Sequence, residues 1–165
     1  MRVASASFDE CFRQHFPMLV ALGESMTGDR ETARDAAQEA FVRLHHNWSA
    51  VSQYDNPGGW LRRVMSNLLI DRHRSRESER RAVVQLASPV DRANDSPGSL
   101  LGDHDLWSSL LAGLPPRQRI IVALRYGDDL PVADIADMLD VSPNTVKSAL
   151  SKARDTLRDH TEASA

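Results

Sequence analysis

Residues 82–104 divide this 165-residue chain into two halves, and that division constrains the fold more than any other feature. Ser88-Pro89, Asn94-Asp95-Ser96-Pro97-Gly98-Ser99 and Gly102 crowd turn formers into one stretch with a single basic residue, the composition of a flexible connector. On either side, apolar residues recur at helical spacing, and no run alternates convincingly with the period of two that a strand needs. An all-α chain is therefore expected: two small helical domains, 1–81 and 105–165, joined by a linker over 82–104. Apolar residues make up 41% of the chain and charged residues 26%, so each half has the means to bury a core. The one cysteine, Cys11, excludes a disulfide framework and a cysteine-based zinc cluster. No apolar run approaches the ~20 residues that span a bilayer. Met1 to Phe8 lacks a charged stretch followed by an apolar one, so no secretory signal and no membrane insertion are expected, with the cytoplasm as default compartment.

Helix boundaries are written in the first half. Ser7-Phe8-Asp9-Glu10 reads as a capping box. Phe8, Phe12, Phe16, Leu19 and Leu22 follow as one stripe, with Pro17 inside it, which predicts a kink or a break. Gly28-Asp29 reads as a stop and a new N-cap. Ala33, Ala37, Phe41, Leu44 and Trp48 make the next stripe. Asn56-Pro57 opens a third helix with Pro at its first position, and Trp60, Leu61, Val64, Met65, Leu68 and Leu69 form its apolar face. From Asp71-Arg72-His73-Arg74 onward that helix is wholly polar.

The second half predicts a helix from about Asp103 with Leu106, Leu110 and Leu111 on one face. Pro115-Pro116 opens another, carrying Ile120, Ile121 and Leu124 to about Gly127. A short helix over Val132–Leu139, a turn at Asp140-Val141-Ser142 and a Ser142-Pro143 cap lead into a last helix that buries Val146, Leu150, Ala153 and Leu157. Small Ala136 permits close approach and Val141 plugs the corner. This is the pattern of a helix-turn-helix, whose second helix lies in the DNA major groove. Its outward face would be Asn144, Lys147, Ser148, Ser151 and Lys152, the amides, hydroxyls and cations that contact bases and phosphates. A helical hairpin with a merely solvated face shares this pattern. Asp128, Asp129, Asp134, Asp137 and Asp140 would repel DNA if they faced it.

Charge supports two contacts with a polyanion. The chain carries net −3, yet residues 60–81 carry net +4 and residues 142–158 net +3. Both basic stretches fall on expected helices, although a charge run on its own is equally a solvated face.

Three motifs in order carry a family resemblance. Asp35-Ala36-Ala37-Gln38-Glu39-Ala40-Phe41-Val42-Arg43-Leu44 resembles the polymerase-docking helix of the extracytoplasmic-function (ECF) sigma factors of bacterial RNA polymerase. Trp60-Leu61-Arg62-Arg63-Val64 through Asn67 to Asp71-Arg72-His73-Arg74 resembles the helix that opens and reads the minus-ten promoter element. Leu114-Pro115-Pro116-Arg117-Gln118-Arg119 through Leu124-Arg125-Tyr126, with Thr145-Val146-Lys147-Ser148 and Ala153-Arg154, resembles the domain that reads the minus-thirty-five element. The resemblance implies a non-enzymatic factor that binds core RNA polymerase and directs promoter-specific initiation, with promoter DNA as second partner, an anti-sigma factor as third, and no cofactor.

The implied sites follow. Asp35, Gln38, Glu39 and Arg43 would contact a basic coiled coil of the polymerase by charge-assisted bonds; Glu39 and Arg43 are also spaced to pair with each other. Arg62, Arg63, Arg72, Arg74 and Arg76 would meet promoter phosphates. Trp60, Asn67 and the Val51–Gly59 loop would hold an unstacked base of the opened strand, with Gly58-Gly59 allowing close backbone approach. Asn144, Thr145, Lys147, Ser148, Ser151 and Lys152 would meet the minus-thirty-five element. A rival class is an autonomous helix-turn-helix regulator whose N-terminal domain binds a ligand or partner. No metal or catalytic site is expected. His45 and His46, adjacent on a helix, point about 100° apart, and neither a His-x-x-x-His nor a Glu-x-x-His pair is present.

Overall fold

The computed structural model describes residues 7–84 and 103–163. Most of the expected linker, residues 85–102, lies outside the described residues. The first half holds α1 (Phe8–Thr27), α2 (Arg30–His46), α3 (Trp48–Val51) and α4 (Pro57–Val84). The second holds α5 (Asp103–Ala112), α6 (Pro116–Val122), a π turn (Ala123–Gly127), α7 (Val132–Leu139) and α8 (Pro143–Ala163).

Helices α1, α2 and α4 start on side-chain caps. Ser7 Oγ accepts the Glu10 amide at 3.2 Å. Asp29 accepts the amides of Glu31 and Thr32. Asn56 Oδ1 accepts the Gly59 amide at 2.8 Å and so opens α4. Each cap satisfies an amide that a first turn leaves without an intrahelical partner. Gly28, at φ +71°, ends α1 in the left-handed region where a side chain would be strained.

Pro17 does not break α1. A mid-helix proline costs about 3 kcal/mol. Leu19, Val20, Leu22 and Met26 beyond it are all buried, and each contributes roughly 1.5–3 kcal/mol. Burial outweighs the lost amide. The phenylalanine end of the same stripe is less enclosed than its spacing implies. Phe12 is 39% exposed and joins an aromatic cluster, stacked on Phe16 at 4.7 Å and edge-on to Phe41 at 4.9 Å.

Close approach of α1 and α2 rests on small residues. Ala33, Ala36, Ala37 and Ala40 are fully buried. A Cβ on Gly23 would stand 2.9 Å from the Ala33 Cβ, so the two backbones meet where neither carries bulk. On α4, Leu61, Met65 and Leu69 close the core, and from Arg74 to Val83 every residue is exposed.

Two expectations for the second half are corrected. Leu106 does not join the α5 core face; it is 64% exposed, and Trp107 turns inward instead, its indole donating to Ser25 Oγ at 3.1 Å. The helix through Leu124 also widens into a π turn before Gly127.

The two halves share a seam. α1 packs against α5, α6 and the π turn, and α4 packs against α7. The buried side chains of both halves form one apolar cluster. Periodicity carries no information about this contact, because its polar members lie at the edges of apolar stripes.

Candidate nucleic-acid interface

The turn between α7 and α8 is built on a left-handed aspartate. Asp140 sits at φ 53°, ψ 52°, a conformation that Asp tolerates better than most residues. The amides of Asp140 and Val141 fold back on the last turn of α7, with Val141 bonding the Ala136 carbonyl at 3.0 Å. Ser142 Oγ then accepts the Thr145 amide at 3.2 Å and caps α8. Ala136 is buried and Val141 is packed against the core. Val146, Leu150 and Ala153 point inward. Asn144, Thr145, Lys147, Ser148, Ser151 and Lys152 are all exposed. The turn thus presents the first turns of α8 as a continuous polar face.

On α4, Arg63, Asn67, Arg74 and Arg76 are exposed, while Trp60 and Arg72 are half-buried. Arg62 departs from the expected phosphate-facing set. One residue before Arg63, it points about 100° away round the helix, toward the second half of the chain. There its Nε meets Asp128 Oδ2 at 2.7 Å, with the two side chains 22% and 17% exposed. In this arrangement Arg62 belongs to the seam and not to the basic surface. Burial pushes the Asp128 carboxyl above the usual carboxylate range, and the adjacent Arg62 guanidinium opposes that shift. His15 shares the pocket; burial and then Arg62 hold its ring below the ordinary histidine value.

Gly58 and Gly59, expected in the loop before α4, lie in its first turn, and they have packing reasons. A Cβ on Gly58 would meet the His15 ring at 2.7 Å, and one on Gly59 would meet the Asn56 amide at 2.8 Å. They admit His15 and the helix cap, which accounts for them without a bound base.

On α2, Asp35, Gln38 and Arg43 are exposed and Glu39 is half-exposed. Glu39 and Arg43 pair at 3.1 Å. Val42 lies exposed beside them, so the face mixes charge with an apolar patch.

Arg119 is the polar hub that sequence reasoning missed. Its guanidinium donates to the carbonyls of Leu111, Thr27, Ala112 and Leu114 at 3.0, 3.0, 3.2 and 3.4 Å. The Thr27 bond joins the end of α1 to the second half. An arginine just before two buried isoleucines marks the edge of an apolar face; only the fold supplies its acceptors.

Two family models match in the order that this geometry requires. Residues 11–79 match sigma-70 region 2, which spans α1 to the polar arm of α4. Residues 104–157 match sigma-70 region 4, which spans α5 to α8. The chain is 32% identical over 166 residues to the ECF RNA polymerase sigma factor SigE of Mycolicibacterium smegmatis, covering 96% of this chain and 63% of that one. It is 30% identical over 156 residues to the RNA polymerase sigma-E factor of Streptomyces avermitilis, covering 94% and 86%. This chain belongs to the ECF sigma factor family.

The sigma-factor fold is shared with a solved relative at lower identity. The sigma factor RpoE of Bartonella quintana, solved with the anti-sigma factor NepR, superposes with a TM-score of 0.68 at 20% identity, over 94% of this chain and 96% of that one. The region 2 match removes the ground for the rival regulator, whose N-terminal half would serve a different purpose. His45 and His46 have ordinary structural roles in this sigma factor. His45 packs edge-on to Phe8 at 5.3 Å, and a His46 ring nitrogen lies 2.9 Å from the Val42 carbonyl. Among the described residues no helix is long and apolar enough to cross a membrane.

Proposed function

We propose that this ECF sigma factor docks on core RNA polymerase through α2, opens and reads the minus-ten element through α4, and reads the minus-thirty-five element through α8. The observation that carries the reading is the pair of sigma-70 matches, regions 2 and 4 in order along one chain. Sigma factors are non-enzymatic; they supply an address to an enzyme that already has catalysis.

The division of labour follows the two domains, 1–81 and 105–165. Asp35, Gln38, Glu39 and Arg43 contact the polymerase, with Glu39 and Arg43 exchanging their mutual pair for bonds across the interface. Arg63, Arg72, Arg74 and Arg76 neutralise promoter phosphates. Trp60 and Asn67 contact the opened strand. Arg62, held at the seam beside Asp128, stands apart from this set. Asn144, Thr145, Lys147, Ser148, Ser151 and Lys152 meet the duplex upstream. An anti-sigma factor is a further partner, and the cytoplasm, where transcription takes place, is the compartment. Transcription from a promoter library by core polymerase plus this chain tests the reading. Start sites that appear only when the chain is added support it; identical transcripts with and without the chain refute it.

A further inference from the structure

His15 is half-buried where the two halves meet. Its ring lies against Gly58 of α4, where a Cβ would come within 2.7 Å. It shares a small pocket with Met18, Leu19 and Leu22 of its own helix, Arg62 of α4 and Asp128 after the π turn. Arg62 and Asp128 are the charged groups lining that pocket, and His15 forms no ion pair among the described residues. The space there is about 10 Å³, room for at most one water, so a charge on the ring would be poorly hydrated. Burial and then the Arg62 cation hold the ring below the ordinary histidine value.

The seam is also poorly bonded at this point. Arg62 Nε and Asp128 Oδ2 stand 2.7 Å apart without the alignment of a hydrogen bond. Ser66, one turn further along α4, is fully buried with its hydroxyl unpaired among the described residues. A buried ion pair barely repays its desolvation, and an unpaired buried hydroxyl is a net cost. Two bonds cross the seam elsewhere, Trp107 to Ser25 and Arg119 to Thr27, and neither contains a group that titrates near neutrality.

We propose that His15 is an acid trigger in the seam: when its ring gains a proton, the two halves part. Protonation sets a second cation beside Arg62, with Asp128 the one carboxylate lining the pocket. The sign follows from linkage. A ring whose value is lowered in the closed form stabilises that form above the ordinary ~6.5, and the contribution is lost as pH falls through the lowered value. Asp128 acts in the opposite sense, since burial raises its carboxyl. Arg62 restrains that rise, so the Asp128 window lies nearer the carboxylate range than that of His15.

Parting matters because of reach. The minus-ten and minus-thirty-five elements are about 25 base pairs apart, roughly 85 Å of duplex at 3.4 Å per pair. A packed body of this size is roughly 35–40 Å across. Halves held together therefore cannot serve both elements at once. This consequence rests on the reading of α4 and α8 as promoter helices; the opening itself does not.

The test follows the free full-length chain by the distance between fluorophores on Ser49→Cys and Asp159→Cys, both exposed sites, with buried Cys11 left unlabelled. From pH 7.5 to 5.5 the open fraction should rise severalfold and reversibly. In His15→Gln, which places a neutral amide there, it should stay flat. The His15 ring, assigned in proton NMR spectra by its loss in His15→Gln, should titrate below ~6.5. An unchanged distance in the labelled chain overturns the trigger. So does equal opening in His15→Gln, or a His15 ring that titrates at or above the ordinary value. If His15→Gln fails to fold at pH 7.5, ring assignment by sequential NMR and the distance in the labelled chain decide. Acid opening of the free chain, together with no new transcripts from core polymerase plus the chain, would overturn the promoter reading and leave the trigger standing.

Discussion

Replacing Arg119 with Met tests whether the seam is one mechanical unit. Methionine keeps the aliphatic stem and removes all four guanidinium bonds. Two of them, to Leu111 and Thr27, are 3.0 Å long and partly buried; the other two are longer. A hydrogen bond from a charged donor contributes about 1.5–3 kcal/mol net. Burial of the guanidinium disfavours its charged form and offsets part of that gain, and the longer pair adds little. The expected loss is about 2–4 kcal/mol. For a chain of this length each kcal/mol moves the midpoint by roughly 2–4 °C, so Tm should fall by about 4–16 °C. The Thr27 bond crosses between the halves, so guanidinium denaturation should also lose cooperativity, with a lower m value or two resolved steps. Arg117→Met, two residues away and exposed, is the control and should stay within about 0.5 kcal/mol of wild type. Arg119→Met within that same margin, at an unchanged m value, would refute the hub.

Lys147→Ala should weaken promoter recognition by about 1–3 kcal/mol if the side chain reads a base edge, measured by duplex competition on the assembled polymerase; unchanged selectivity removes Lys147 from the reading face. Reversing charge at Asp35 and Glu39 together should reduce core binding in a titration while the circular dichroism spectrum stays unchanged; equal affinity places the docking face elsewhere. Asn67→Ala should impair strand opening more than recruitment, seen as loss of permanganate reactivity at preserved promoter occupancy; equal opening leaves Asn67 a surface residue of α4. Asp29→Ala should cost about 1 kcal/mol of stability at neutral pH through loss of the α2 cap. The Asp29 carboxyl lies below its ordinary range, first because the Thr32 hydroxyl bonds it. Its contribution is therefore present above about pH 4 and is lost as pH falls through the lowered folded value. Wild type and Asp29→Ala should converge in acid denaturation, and a gap that stays constant to the lowest pH contradicts this.

Local signals were legible because they are local. The Ser7, Asp29 and Ser142 caps and the stretch Val132–Leu139 can be read from side chains that act within four residues. The stripe of Leu61, Met65 and Leu69 is legible for the same reason. What escaped depends on partners far along the chain. Leu106 and Trp107 are neighbours, and periodicity alone ranks Leu106 as the core residue. Trp107 wins because Ser25, 82 residues away, offers a hydroxyl for its indole. Arg62 and Arg63 likewise look equivalent in sequence, and only the position of Asp128 separates them. Gly58 and Gly59 suggest room for a ligand, whereas the His15 ring and the Asn56 amide already fill that room.

The acidic residues of the second half were the main electrostatic objection to DNA binding, and their placement answers part of it. Asp128 is paired with Arg62 at the seam, and Asp129 with Arg125 at 3.3 Å. Their fields are partly neutralised within a few ångströms, and residual exposed charge is screened over roughly 8–10 Å at physiological salt. Asp134 and Asp137 are exposed on α7, off the groove that runs along α8. The edge of α8 that lines the groove meets Arg117 and Lys152 and no carboxylate. A chain of net charge −3 can thus present a locally positive surface to DNA, because attraction to phosphates follows the charge within a screening length and not the total. The same arrangement makes Asp128 a competitor of promoter phosphates for Arg62. Asp128 takes the Nε side of the Arg62 guanidinium at 2.7 Å, which leaves only the other N–H groups of a partly buried side chain to meet a phosphate.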